Sequence, residues 1–207
     1  MSTKISQLTA SSTDLKNTDL LEVSVFNGTT YDSKKMNGSQ ILGERYIGEA
    51  YGGGVIFHLW RGADGVQHGL IVGLTDLSTS QAWSNVTGTA IGSTAQSTWD
   101  GLSNSNAIVG QVGHTSSAAK LCLDSTDNSQ TDWYLPSIDE INLIFNQRFE
   151  INKKLSIVGG ATQIGSNFFW SSTEFNSSNS YTFNFLNGAL NVTGKSNTYY
   201  TRAIRQF

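Results

Sequence analysis

The chain has 207 residues, a net charge of −3, 14% charged residues and a single cysteine. That balance leaves no basic footprint for nucleic acid, which is held mainly by Lys and Arg on phosphates, and one cysteine excludes an intrachain disulfide. With 21 glycines, five Trp and 11% aromatic residues, the composition suits a loop-rich or β-rich fold around an aromatic core. It does not suit a disordered chain, which is charged and poor in rings, or a collagen stalk, which needs Gly at every third position.

Residues 1–43 hold short apolar pieces between polar turns: Ile5 and Leu8, then Leu20, Leu21 and Val23 in the run Leu20–Phe26, and later Ile41. Asn27-Gly28 predicts a two-residue type I′ turn, because both central positions need positive φ, with the return strand starting at Thr29. About 40 residues rarely bury enough apolar surface to fold alone, so this β-hairpin segment is expected to pack on another chain. The first residues lack the apolar stretch of a secretory signal, and no run approaches the roughly 20 apolar residues of a membrane span. The expectation is a protein made in the cytoplasm with no membrane partner.

A shift of composition near residues 43–54 opens a second region, 44–207. Val55–Trp60 and Gly69–Leu74 read as strands with an Asp64-Gly65 turn between them. Residues 75–103 are rich in Ser, Thr and Gly, with Trp83 and Trp99 isolated among polar neighbours; a stretch so long predicts an ordered functional loop. Helices are expected over Asn104–Gln111, capped at Ser103 or Asn104, and over Ser116–Leu123, with Cys122 as a small buried hydrophobe. The clearest helix is Ser137–Phe149, where Ser137 and Glu140 fit a capping box and Ile138, Ile141, Phe145 and Phe149 recur at helical spacing. The last fifty residues return to strand: Tyr181, Phe183 and Phe185 alternate, Asn187-Gly188 turns the chain, Leu190 and Val192 alternate back, and Tyr199–Phe207 closes it. Strands, then helices, then strands predict an α+β domain whose two ends pair in one sheet.

From about Gly48 onward the chain resembles the Lcl C-terminal (DUF1566) family. The carrying segments are Gly53–Phe57, His68–Val72, Asp132–Ile141 with its Trp-Tyr-Leu-Pro core, Phe169–Glu174, and Asn197–Arg205. The resemblance implies a C-type-lectin-like fold and a homotrimer, of a kind found in bacterial surface adhesins and phage structural proteins. Residues 1–43 are similar to a recurring N-terminal unit of phage head and tail appendages, in which Ile5, Leu8, Leu20, Leu21, Val23 and Ile41 would attach the chain to other virion proteins.

Chemistry is sparse. His58, His68 and His114 show no metal spacing, Cys122 reads as buried and not as a thiolate for His114, and no nucleophile elbow or phosphate loop is present. The chain reads as neither an enzyme nor a cofactor protein. Asp124, Asp127, Asn128 and Asp132 could offer oxygens to calcium, but match no EF-hand and read as a solvated loop, so no metal is expected. Trp133, Leu135 and Trp170 read as core, and Arg202 and Arg205 as structural partners of Glu174 or Glu140. What remains is binding. Aromatic faces among amides and hydroxyls suit sugars, and two groups offer them: Trp83, Asn85, Trp99, Asn104 and Asn106, and Phe175, Asn176, Ser178 and Asn179. The candidate ligand residues are Trp83, Trp99, Asn176, Ser178 and Asn179. The expectation is a virion protein, a head fibre or decoration or a tail appendage, displaying a lectin-like domain to glycans. The alternatives are a ligand-free decoration domain and a bacterial surface adhesin.

Overall fold

The computed structural model describes residues 20–26, 29–37 and 45–207, and the chain divides into two compact units, Met1–Arg45 and Tyr46–Phe207. In the first unit β1 (Leu20–Phe26) runs antiparallel to β2 (Tyr31–Asn37), from Leu20 opposite Asn37 to Phe26 opposite Tyr31. The return strand begins at Tyr31, opposite Phe26, instead of at Thr29; Asn27 and Gly28, where a type I′ turn is expected, lie outside the described residues. Leu20, Leu21 and Val23 lie on β1, whose backbone alone is described; Ile5, Leu8 and Ile41 lie outside the described residues.

The second unit holds two sheets and four α-helices, an α+β arrangement. One sheet runs β11-β5-β4-β3, from β3 (Ala50–Tyr51), β4 (Gly54–Arg61), β5 (Gln67–Gly73) and β11 (Ile204–Gln206). The unit's last strand thus lies beside one of its first, with Ile204 opposite Val72, as expected. The other runs β6-β10-β7-β8-β9, from β6 (Ser78–Ala82), β7 (Phe168–Glu174), β8 (Asn179–Asn184), β9 (Ala189–Gly194) and β10 (Thr198–Thr201), and only its β10–β7 pair is parallel. Strand β6 corrects the reading of 75–103 as loop: its polar sequence gives no strand signal, and it forms because β10 supplies the hydrogen-bonding partner. Asn184 pairs with Ala189, so residues 185–188 make the turn between β8 and β9.

The β4–β5 pair is buried on both faces, which explains its near-continuous apolar runs. Val55, Phe57, Leu70 and Val72 belong to one core cluster, and Ile56 and Ile71 to the other. Between Ile56 and His58 the register shifts: Ile56 faces Ile71, His58 faces Leu70, and Trp60 faces His68. An extra residue in one strand reverses which face the following side chains take. Unbroken alternation would put His58 and Trp60 on the Ile56 face; the bulge at Phe57 turns them onto the face of Val55 and Leu70. Leu59, conversely, packs on the Ile56 cluster.

The helices are α1 (Gly101–Val109), α2 (Ala118–Leu123), α3 (Ile138–Asn146) and α4 (Arg148–Leu155). Helix α1 starts earlier than the sequence suggests, because Asp100 caps it by accepting from Ser103 N, while Asn104 is buried within it. Gly101 permits that start: a Cβ there would lie 2.7 Å from the Leu135 carbonyl and closer still to the Glu140 carboxylate. The capping box at Ser137 and Glu140 is present, but the helix does not continue to Phe149. It breaks at Gln147 (φ −102, ψ 8), and the redirected α4 buries Ile151 and Leu155 while Phe149 is 72% exposed.

Candidate functional site

A groove of about 590 Å³ opens where the bulged strand β4 meets the N-terminal ends of α1 and α3. Strand β4 supplies His58 and Trp60, the start of α1 supplies Trp99, Asp100 and Leu102, and α3 supplies Asp139, Glu140 and Leu143. His58 and Trp60 stack at 5.8 Å, and Trp60 and His68 at 5.7 Å, with interplanar angles of 28° and 26°. Trp99 is different: 73% exposed, it offers its ring to solvent.

The loop that carries Trp99 is tied down on several sides. Asn104 Nδ2 donates to Ser97 O at 2.7 Å, and Ser97 N donates back to Asn104 Oδ1 at 3.1 Å. Thr173 Oγ1 donates to Ser97 O at 2.9 Å, and Asp139 N donates to Thr98 O at 2.8 Å. The ring is therefore exposed on a fixed backbone, which lowers the ordering cost of binding.

Carboxylates surround the groove. Glu140 is buried and fully engaged, taking the Tyr134 hydroxyl at 2.9 Å on Oε1 and Ser137 N at 2.7 Å on Oε2. Burial raises its pKa above the ordinary value, against the pull of these hydrogen bonds, and burial together with the Glu140 charge pushes the Tyr134 phenol upward. Asp100 is partly used, accepting from Ser103 N at 2.9 Å and Ser103 Oγ at 2.7 Å. Asp139 is exposed, and its carboxylate has no hydrogen-bond or ion-pair partner among the described residues. No Lys or Arg lines the groove. An exposed indole beside a free carboxylate can take a sugar's C–H face on the ring and its polar groups on the oxygens.

Trp99 is the one expected ligand residue that lies in this groove. Trp83 is fully buried; its Nε1 donates to Ser171 O at 2.8 Å and the Lys195 ammonium lies 4.8 Å from its ring. Its expected role is corrected to core, because no face of the ring reaches solvent. Asn176 shapes the β7–β8 turn, its Oδ1 accepting from Ser178 N and Asn179 N, each at 2.9 Å. Asn176, Ser178 and Asn179 do not line the groove. His58, Trp60 and Asp139 carry no ligand signal in the sequence. The first two depend on the bulge, and Asp139 resembles any first-turn acid of a helix.

The charged pairs are also redistributed. Glu174 binds Lys195 at 2.7 Å, Arg205 grips Asp132 at 2.6 and 2.8 Å, and Arg202 lies 3.4 Å from Asp76. The expected Arg202 and Arg205 contacts with Glu174 or Glu140 do not form. In the acidic loop, Asp124 pairs with Lys120 at 2.7 Å and Asn128 Nδ2 donates to Gly53 O at 2.9 Å. Cys122 is buried and its thiol pKa is pushed up by desolvation; His114 bonds Ser117 Oγ at 2.8 Å.

A second groove of about 670 Å³ follows α4, past Arg148, Phe149, Asn152 and Gln163. Its amides already hold the adjoining loop: Asn152 bonds Ile164 through both backbone groups, and Gln163 Nε2 donates to Asn152 O at 3.2 Å. The Trp99 groove is the stronger candidate because its ring and its carboxylate are both uncommitted.

Residues 73–205 match the family described as Lcl C-terminal domain. No curated protein matches the chain. Among solved structures, the chain is similar to a fimbrial protein from Bacteroides ovatus ATCC 8483, with a TM-score of 0.56 and 18% identity. The match covers 84% of this chain and 47% of that one, so the chain spans about half the length of that protein. At this identity the likeness is one of fold.

Proposed function

Because the chain belongs to the Lcl C-terminal domain family, we propose that Tyr46–Phe207 is a surface-displayed adhesion domain that binds glycans in the Trp99 groove. The observation that carries the reading is Trp99 itself, a 73% exposed ring on a loop pinned by Asn104, Thr173 and Asp139. Exposing an indole forgoes burial free energy on the order of 1.5–3 kcal/mol for a large apolar side chain, and fixing its backbone in place suits contact with a partner. The fold-level likeness to a fimbrial protein agrees with a role at a surface. The finer reading of the fold is C-type-lectin-like, supported by the pairing of β11 with β5, which closes the unit on its own ends.

The domain is read as one that works by binding: the one buried carboxylate of the groove, Glu140, takes the Tyr134 hydroxyl and Ser137 N and serves the cap of α3. The carrier is a phage virion, as a head fibre or decoration or a tail appendage, with residues 1–43 contacting other virion proteins and a homotrimer as the displayed unit. The similarity of residues 1–43 to phage appendage modules supports this. In a trimer repeated over a particle, weak sites gain through multivalency.

Titrating immobilised glycans with the full chain and with Trp99→Ala tests the reading. Binding that Trp99→Ala abolishes at an unchanged melting temperature is expected. Silence of the full chain across host-surface glycans would favour a ligand-free decoration domain. Light scattering tests the assembly: a trimer of both the full chain and residues 46–207 is expected, and a monomeric 46–207 would move oligomerisation to the N-terminal segment.

A further inference from the structure

Resting on the reading of the Trp99 groove as a saccharide site, we infer that it selects saccharides carrying a protonated amine, of the glucosamine type, over N-acetylated or sulfated ones. The groove brings one exposed indole, Trp99, together with one exposed carboxylate, Asp139, that has no partner among the described residues. The two are coupled through the backbone, since Asp139 N donates to the carbonyl of Thr98, the residue before Trp99, at 2.8 Å. An ammonium placed there meets the ring face and the carboxylate at once. The first contact is a cation–π attraction and the second a charge-assisted hydrogen bond.

The charge around the site has one sign. Asp100 and Glu140 add two more carboxylates to the lining, and no Lys or Arg offsets them. Acetylating the amine removes the charge that both contacts use. A sulfated sugar sets like charges face to face, which costs affinity. The basic residues Arg148 and Lys153 line the other groove and cannot relieve that repulsion. His58 lines the floor, with His68 stacked on the far side of Trp60. The comparison is made at one fixed pH.

The test is calorimetric titration of the full chain at about pH 6, where primary sugar amines are protonated. The probes are a glucosamine tetramer and its fully N-acetylated counterpart, against the natural chain, Asp139→Asn and Trp99→Ala. The glucosamine tetramer is expected to bind about fivefold tighter at low salt, the size of one exposed charge pair, and to lose that margin in high salt. Asp139→Asn should shrink the margin while leaving the N-acetylated tetramer's affinity in place, and Trp99→Ala should weaken both. Equal or tighter binding of the N-acetylated tetramer, or a margin that Asp139→Asn leaves unchanged, overturns the selectivity. If Trp99→Ala still weakens binding in that case, the saccharide reading stands. No binding of either tetramer overturns the selectivity and counts against the saccharide site as well.

Discussion

The Lys195 ammonium lies 2.7 Å from the Glu174 carboxylate, and neither side chain reaches solvent. Glu174 also accepts from Ile91 N at 2.9 Å and Gly92 N at 2.8 Å, while Lys195 sits over the Trp83 ring. The pair thus joins the end of β9 and the last residue of β7 to the loop that precedes α1. Removing one partner of a buried pair strands the other charge.

Lys195→Met is therefore expected to cost about 3–5 kcal/mol, read from the urea midpoint at constant slope. Replacing both partners, Lys195→Met with Glu174→Leu, should not restore the loss, because Ile91 and Gly92 then lose their acceptor. Full recovery in the double variant would show that the carboxylate does not hold that loop.

The tryptophans should separate cleanly. Trp83→Ala, emptying a fully buried site, is expected to cost about 3–5 kcal/mol. Trp99→Ala should stay within about 0.5 kcal/mol, as an exposed change away from packing. Paired thermal melts check both; a large loss at Trp99 would mean its ring supports the fold.

Ser137→Ala removes the hydroxyl that accepts from Glu140 N and is expected to cost about 1 kcal/mol. Ser137→Thr should recover most of it, since the threonine hydroxyl can also cap. Chemical denaturation of the two variants side by side decides whether the cap or mere volume matters at this buried position.

His114 gives a pH dependence of known sign. Burial and the nearby Lys120 charge lower its pKa, so the folded state resists protonating it. Its contribution to stability is complete above the unfolded value near 6.5 and is lost as pH falls below it. His114→Gln should flatten the stability profile between about pH 7 and pH 5 relative to the natural chain, measured by denaturation at each pH. An unchanged difference across that range would remove His114 as a contributor.

The Ser137 cap, the apolar core of β4 and β5, the burial of Cys122 and the closing of the domain by its own last strand were all legible in the residues. Each is a local pattern or a burial preference, and such signals survive without knowledge of neighbours. The break at Gln147 was not legible, because Phe149 fits the helical period and only the packing of Ile151 and Leu155 shows that the axis turns. Strand β6 was hidden for a related reason: its Ser-Thr-Ser-Gln-Ala sequence has no strand character, and its order comes from β10.

The sequence by itself determined the family, the α+β class and the candidacy of Trp99, because these rest on segments whose residues lie next to one another in the chain. Only the tertiary structure decided that Trp83 is core and that Asn176 serves its own turn. It also placed His58, Trp60 and Asp139 beside Trp99. The reason is the bulge at Phe57 and the meeting of three elements far apart in sequence: one extra residue reverses the face of a strand, and no period or composition records which elements a reversed face will meet.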